Sequence, residues 1–258
     1  MKKKLENPYS KEKLKKRRIR RNIRRAVFFV IFIIAILVTI AIKAPYFNVT
    51  TFLIENNNIV NSEEIIAKSP IKEGNNIFYF NKKDVVESIK EIPYIQDLEI
   101  IRQLPNTILF SVKEREAFFY GVFNNKFVVF DKDLRILEIR DKIDGLKLVR
   151  VMGLDYSNVN AGDVIEDSNE RRDYVIKEVS HLFKVNKSGI SFDCVNLEDL
   201  LNIRFYYRNI EIRIGTDEEL KDKLNQALNI LEQKPEFQDK KGYIDVSFKG
   251  NPVVYMEK

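Results

Sequence analysis

The chain has one cysteine and one histidine in 258 residues, and these two shortages exclude several classes of chemistry at once. With Cys194 alone, no disulfide can form within the chain, so an exported part has to be held together by its own apolar core. With His181 alone, and with no G-x-S-x-G, H-E-x-x-H, P-loop or C-x-x-C pattern, the chain lacks the usual parts of Ser-His, zinc and phosphate-cradling chemistry. His181 falls in a predicted helix beside Leu182 and Phe183 and reads as a structural or surface residue. Cys194 lies in a strand-like segment and reads as core; as a nucleophile it would need His181 as its base. Glu114, Glu116, Asp131, Asp133 and Asp245 leave an acid–base pair open, because sequence gives no distance between carboxylates. Most read as solvated or turn-forming residues. The expectation is no catalytic residue, no cofactor and no metal.

Charge is present but unevenly placed. Residues 1–25 hold 13 Lys and Arg against Glu6 and Glu12, so this tail carries +11 and leaves −5 for the other 233 residues. The basic pI of about 9.1 therefore belongs to the tail. A mildly acidic remainder gives no hint of nucleic-acid binding, and topology alone explains the tail.

From Ala26 to Ile42 runs AVFFVIFIIAILVTIAI, 17 residues without a charge and with Thr39 as the one polar side chain. As a helix it is about 26 Å long at roughly 1.5 Å per residue, against a hydrocarbon core of about 30 Å. Snorkelling of Lys43 and interfacial placement of Ala44, Pro45 and Tyr46 make up the difference. A buried soluble helix would need a polar face, which this run lacks. A cleaved signal peptide has a shorter apolar stretch and a small-x-small site, which Thr39-Ile40-Ala41 matches poorly. The basic flank predicts a cytoplasmic N-terminus and an exported remainder of about 210 residues, with 45% hydrophobic content and 18 Phe for a core.

Periodicity divides that remainder. A strand Phe47–Glu55, a helix begun by Asn61 or Ser62, and a helix with Val85, Val86, Ile89 and Ile92 on one face come first. Asn81 is a candidate cap, and Pro93 bars continuation. Strands Ile95–Arg102 and Thr107–Glu114 come next around a Pro105-Asn106 turn, giving a β-α-α-β-β order. After Glu116 an antiparallel meander is expected, with turns at Asn124-Asn125 and Lys132-Asp133. A helix Ser168–Phe183 and a hairpin at Arg208 succeed it. A Thr216-x-x-Glu219 capping box then opens a helix with Leu220, Leu224, Leu228 and Leu231 on one stripe. Tyr243–Ser247 is the last full strand, before a short segment Pro252–Tyr255.

These segments together resemble the bacterial cell-division family FtsQ, called DivIB in Gram-positive bacteria. FNVTTFLIENNNIVNSEEI resembles the family's opening strand, Asn turn and helix start, and EIPYIQDLEIIRQLPNTILFSVKEREAFFY its run from Pro-aromatic to Val-x-Glu-Arg. FVVFDKDLRIL, NIEIRIGTDEELKDKLNQALNIL and GYIDVSFKGNPVV resemble its later hairpin, last helix and final strand. Asp133, Asn57-Asn58 and Ala117 depart from the family's Gly, Gly-Asn and Pro at turns and strand edges.

The resemblance implies an α+β chain. Its parts are a tail (1–25), a transmembrane helix (26–45), a polypeptide-transport-associated (POTRA) domain (46–115) and a mainly antiparallel β domain with packed helices (116–258). It also implies a non-enzymatic scaffold of the division machinery at the septum, binding the small coiled-coil proteins FtsB (DivIC) and FtsL and other membrane proteins of that machinery. A secretion component would need a long run of barrel strands, for which the chain has no room. An anchored wall enzyme would need a polar cleft with perturbed carboxylates.

The expected partner-binding edge is the terminal strand together with the chain end beyond it. Tyr243, Ile244, Val246 and Ser247 would line it, with Phe248, Val253 and Tyr255 as apolar anchors. The competing reading is that these residues close the core. Ile100 and Arg102 are the next candidates.

Overall fold

The computed structural model describes residues 8–257, apart from 144, 158, 167, 168 and 238. The first element is one continuous helix, α1 (Pro8–Lys43), which runs from residue 8 of the basic tail through the apolar run without a break. From residue 17 to 43 it is long and apolar enough to cross a membrane, and none of that span's most apolar stretch is buried by the protein. Thr39 donates its hydroxyl to the Ala35 carbonyl at 2.8 Å, which satisfies the one polar side chain of the run inside the helix. The chain leaves α1 through a turn of 3-10 helix, Pro45–Phe47.

The pattern of contacts divides the chain into two compact units, the first drawing on residues 1–55, 62–88 and 99–111, the second on 56–61, 89–98 and 112–258. The elements that open the folded part are β1 (Thr51–Glu55), α2 (Ser62–Lys68), α3 (Lys82–Ile89), β2 (Ile95–Gln103) and β3 (Thr107–Glu114). This is the β-α-α-β-β order that periodicity indicated. Their sheet has the order β1-β3-β2, with β1 and β3 parallel and Thr51 opposite Thr107. Within the first unit Val49, Ile65, Ile71, Ile77, Val85, Ile100, Ile108 and Phe110 are buried. Asn81 caps α3, its Oδ1 accepting from the Lys83 amide at 3.0 Å. The first strand begins four residues later than expected, because residues 45–47 turn and Asn48 forms an isolated bridge with Asn76.

The second unit is built on a nine-stranded sheet. Its strands are β4 (Phe119–Phe123), β5 (Lys126–Phe130), β6 (Ile136–Arg140), β7 (Val149–Met152), β8 (Cys194–Asn196), β9 (Ile203–Tyr207), β10 (Ile210–Gly215), β11 (Gly242–Asp245) and β12 (Val253–Met256). Their spatial order is β12-β11-β10-β9-β8-β7-β4-β5-β6. Five pairings are antiparallel; the joints β4·β7, β7·β8 and β10·β11 are parallel. The expected meander is present, turned at Asn124 and Asn125, both at positive φ as a tight two-residue hairpin requires. The hairpin between β9 and β10 turns at Arg208, also at positive φ.

Two helices bury their apolar stripes in the core of this unit. Helix α4 (Glu170–Val185) contributes Val175, Ile176 and Val179, and α5 (Leu220–Gln233) contributes Leu220, Leu224, Ala227 and Leu231. Ser168, the expected start of α4, lies outside the described residues; the Asn169 side chain caps the helix by accepting from the Arg171 amide at 3.1 Å. The expected capping box before α5 does not form. Glu219 occupies the cap position in a left-handed conformation, makes no side-chain cap bond, and instead pairs with Lys249 at 3.3 Å.

Packing in the middle of the sheet is tight enough to dictate a glycine. A Cβ on Gly121 of β4 would sit 2.0 Å from the Tyr156 ring. That ring is buried, and its hydroxyl donates to the Val151 carbonyl at 2.9 Å, so it has nowhere to go. Gly121→Ala is expected to destabilise the protein by about 1–3 kcal/mol, the range of overpacked cores. Urea unfolding of the parent and the variant measures it, and an unchanged midpoint would mean that the Tyr156 ring is free to move.

Candidate partner-binding edge

The sheet of the second unit has two edges, and they differ. At the β6 edge a passing segment fills ladder positions: the Gly162 amide donates to the Ile136 carbonyl (2.8 Å) and the Ile136 amide to the Asp163 carbonyl (2.8 Å). At the other edge is β12, and among the described residues no strand pairs with its outer side. The expected edge at Tyr243–Ser247 is thereby corrected. That strand, β11, is interior, flanked by β10 in parallel and by β12 antiparallel. The reason is that Val253–Met256, only a short segment in sequence, pairs back along it, with Tyr255 opposite Tyr243 and Val254 opposite Ile244.

The side chains sort by the two faces of β11. Ile244 and Val246 are buried in the core with α5, which removes them as anchors. Tyr243 faces the other way: its ring stacks on Tyr255 with centroids 5.6 Å apart, and the Arg213 guanidinium lies 4.0 Å above it. Glu211 holds that guanidinium at 3.1 Å and also pairs with Arg204 at 3.2 Å. Arg204, Glu211 and Arg213 were missed in sequence. The alternation in NIEIRIG marks Glu211 and Arg213 as facing away from the core, but only the parallel β10·β11 joint brings them to Tyr243.

Beyond β11 the chain turns sharply. Ser247 donates its amide (3.0 Å) and its hydroxyl (2.6 Å) to the same Asp245 oxygen, so Ser247 is committed to the turn. Phe248 is left 48% exposed, with Val253 at 45% and Tyr255 at 53%. Three of the expected anchors thus lie on the surface, beside a strand with an open side.

The remaining candidates lie elsewhere. Ile100 is buried in the first unit. Arg102 donates to the carbonyls of Ile77 (2.7 Å) and Phe80 (3.1 Å) and stacks on the Phe80 ring, so it holds a loop in place. Cys194 pairs with Tyr206 across β8 and β9, and burial pushes its thiol up, away from thiolate character. His181 is exposed on α4. Among the described residues no group of three or more His, Cys, Asp or Glu side chains could hold a metal.

The carboxylates have structural partners. Glu114 accepts from the backbone amides of Asn58 (2.9 Å), Ile59 (3.0 Å) and Val60 (2.8 Å). Asp131, almost fully buried, pairs with Arg115 at 2.7 Å and accepts from the amides of Asp133 and Arg135. Glu116 pairs with Lys184, Asp133 with Lys132, and Asp245 holds Ser247.

An anchoring helix, a small β-α-α-β-β unit and a larger sheet with one open edge define a membrane-anchored protein of the POTRA-bearing class. The family description "POTRA domain, FtsQ-type" matches residues 47–115. The chain is 41% identical to the cell division protein DivIB of Clostridium botulinum strain Hall over 220 residues, 85% of this chain and 86% of that protein. It is 41% identical to DivIB of Clostridium tetani over 85% of this chain and 83% of that one. Similarity extends to the cell division protein FtsQ of Syntrophotalea carbinolica, at 25% identity over 78% and 70% of the two chains. The chain belongs to the FtsQ/DivIB family of cell division proteins.

Because Phe248 is half exposed, a charge there should be tolerated by the fold. Phe248→Glu is expected to leave stability within about 0.5 kcal/mol of the parent. Thermal unfolding checks this, and an early melt would place Phe248 in the core instead.

Proposed function

We propose that this protein is a non-enzymatic scaffold of the division machinery. In this reading α1 anchors it with the basic tail in the cytoplasm, and the folded part stands outside the membrane at the septum. The segments 1–25, 26–45, 46–115 and 116–258 would serve as tail, anchor, POTRA domain and partner-binding domain. The partners would be the small coiled-coil division proteins of the FtsB/DivIC and FtsL type, taken up by strand addition along β12. The observation that carries this is the open side of β12 flanked by exposed Phe248, Val253 and Tyr255. An added strand gains main-chain hydrogen bonds, and neighbouring apolar groups supply specificity.

The geometry of β12 provides a sharp test. The Glu257 amide donates to the Lys241 carbonyl at 2.8 Å. Bonded pairs alternate along an antiparallel ladder, so the Tyr255 amide points to β11 while those of Val254 and Met256 point outward. Val254→Pro therefore removes one outward donor and leaves the inner ladder intact. The full-length variant should melt like the parent yet lose capture of the coiled-coil partners from detergent-solubilised membranes. Undiminished capture by a normally folded variant would rule out strand addition at this edge.

Orientation has its own test. Protease added to intact wall-stripped cells should remove residues 43–258 and spare the tail. A soluble product with a new N-terminus near Ile42 would show a cleaved signal peptide, and a protected domain would show the opposite orientation.

A further inference from the structure

The end of the first unit nearest the C-terminus of α1 gathers exposed apolar side chains that the division reading leaves unexplained. Six contacts define this end. The Asn76 side chain donates to the carbonyls of Ala41 (2.9 Å) and Ile42 (3.0 Å), capping the last turn of α1. The Ile77 amide donates to the Phe47 carbonyl at 2.8 Å. The Phe47 ring contacts both Tyr46 (5.3 Å) and Phe78 (5.4 Å), so the 3-10 turn and the loop around Asn76 form one aromatic cluster. The Thr50 amide donates to the Asn106 carbonyl at 3.0 Å, which brings the β2–β3 turn to the same end as the start of β1.

Arg102 then locks the loop, through its bonds to Ile77 and Phe80. The result is a fixed surface on which Tyr46 is 68% exposed, Phe78 42%, Tyr79 80% and Leu104 61%. Beside it opens a groove of about 500 Å³ whose lining includes Ile42, Asn76, Tyr79 and Phe80.

The level of this surface is set by α1. Its apolar run, about 26 Å long, is shorter than a hydrocarbon core of about 30 Å. Interfacial polar layers add roughly 5–7 Å on each side. Groups bonded to Ala41 and Ile42 therefore lie within the interfacial layer. Tyrosine and its aromatic neighbours favour that layer, where a ring meets lipid and a hydroxyl meets water.

We propose that this surface, carrying Tyr46, Phe78, Tyr79 and Leu104, docks into the interfacial layer of the bilayer that α1 spans. The first unit is thereby seated on the membrane by its loop as well as by its anchor. This rests on α1 crossing a bilayer, and it holds whichever side the unit occupies.

The chain contains no tryptophan, so one introduced tryptophan reports alone. The full-length variants Tyr79→Trp, Glu55→Trp and Phe32→Trp are reconstituted singly into phosphatidylcholine–phosphatidylglycerol vesicles. The lipids carry bromine either high on the acyl chain or near its end. Tyr79→Trp should emit to the blue of a water-exposed indole and be quenched more by the shallow bromines than by the deep ones. Glu55→Trp, at the far end of β1, should stay unquenched, and Phe32→Trp, mid-helix, should be quenched most by the deep bromines. With only lipid present, quenching at residue 79 reports the bilayer and no protein partner. A Tyr79→Trp that behaves like Glu55→Trp while Phe32→Trp is quenched overturns the docking. Equal quenching at residues 55 and 79 overturns its restriction to one end. An unquenched Phe32→Trp removes the membrane-spanning reading beneath it.

Discussion

A β-sheet that does not close on itself leaves two rows of backbone donors and acceptors, and much of this chain's second unit is arranged around where those rows end. Unpaired N–H and C=O groups invite another strand. At the β6 edge the segment 162–165 supplies bonds from within the chain, and Arg135 bridges to Val164. The β12 edge has no such cover among the described residues. The asymmetry makes one edge an end of the fold and the other a place where the fold can continue into a second molecule.

The run Glu114-Arg115-Glu116 shows how a short motif organises distant segments. Glu114 collects three consecutive backbone amides from the 58–60 turn. The Arg115 amide donates to the Tyr94 carbonyl at 2.7 Å, while its guanidinium neutralises the buried Asp131. Asp131 in turn organises the 131–135 turn through two amides. A buried carboxylate left without its cation costs several kcal/mol, so Arg115 and Asp131 are constrained together. Acids that sequence left open as catalytic candidates thus have demanding structural work.

What was legible in the sequence was local. The apolar run of α1, the Asn81 cap, the Asn124-Asn125 turn and the Leu220–Leu231 stripe each rest on a few neighbouring residues, and each is present in the structure. What was not legible depends on pairings far apart in the chain. β7 and β8 have four and three residues, too few for alternation to speak, and parallel joints leave no turn signal. The capping box failed for a related reason: the entry to α5 is set by a left-handed Glu219, not by the best local cap. At the candidate site Phe248, Val253 and Tyr255 are exposed. The edge itself was not legible, because the return of Val253–Met256 onto Tyr243's strand is encoded in no short window.

Apart from its shortness, β12 carries few of the features by which edges are usually blunted. Such edges carry lysines, proline or an inward charge, or twist away at a bulge. β12 reads Val253-Val254-Tyr255-Met256, with neither charge nor proline among its four residues. Its flanking charges, Lys249 and Glu257, are tied to Glu219 and Lys241 and stand outside the strand. Its shortness limits self-association, since four residues give few main-chain bonds to a wrong neighbour. In the proposed strand addition the aromatic pair Tyr243–Tyr255, steadied by Arg213, would add a face that a matching partner could engage and a random strand could not. An edge that is short, apolar and set beside ordered aromatics gains little from promiscuous pairing and much from one complementary strand. That difference is what specificity requires of an interface.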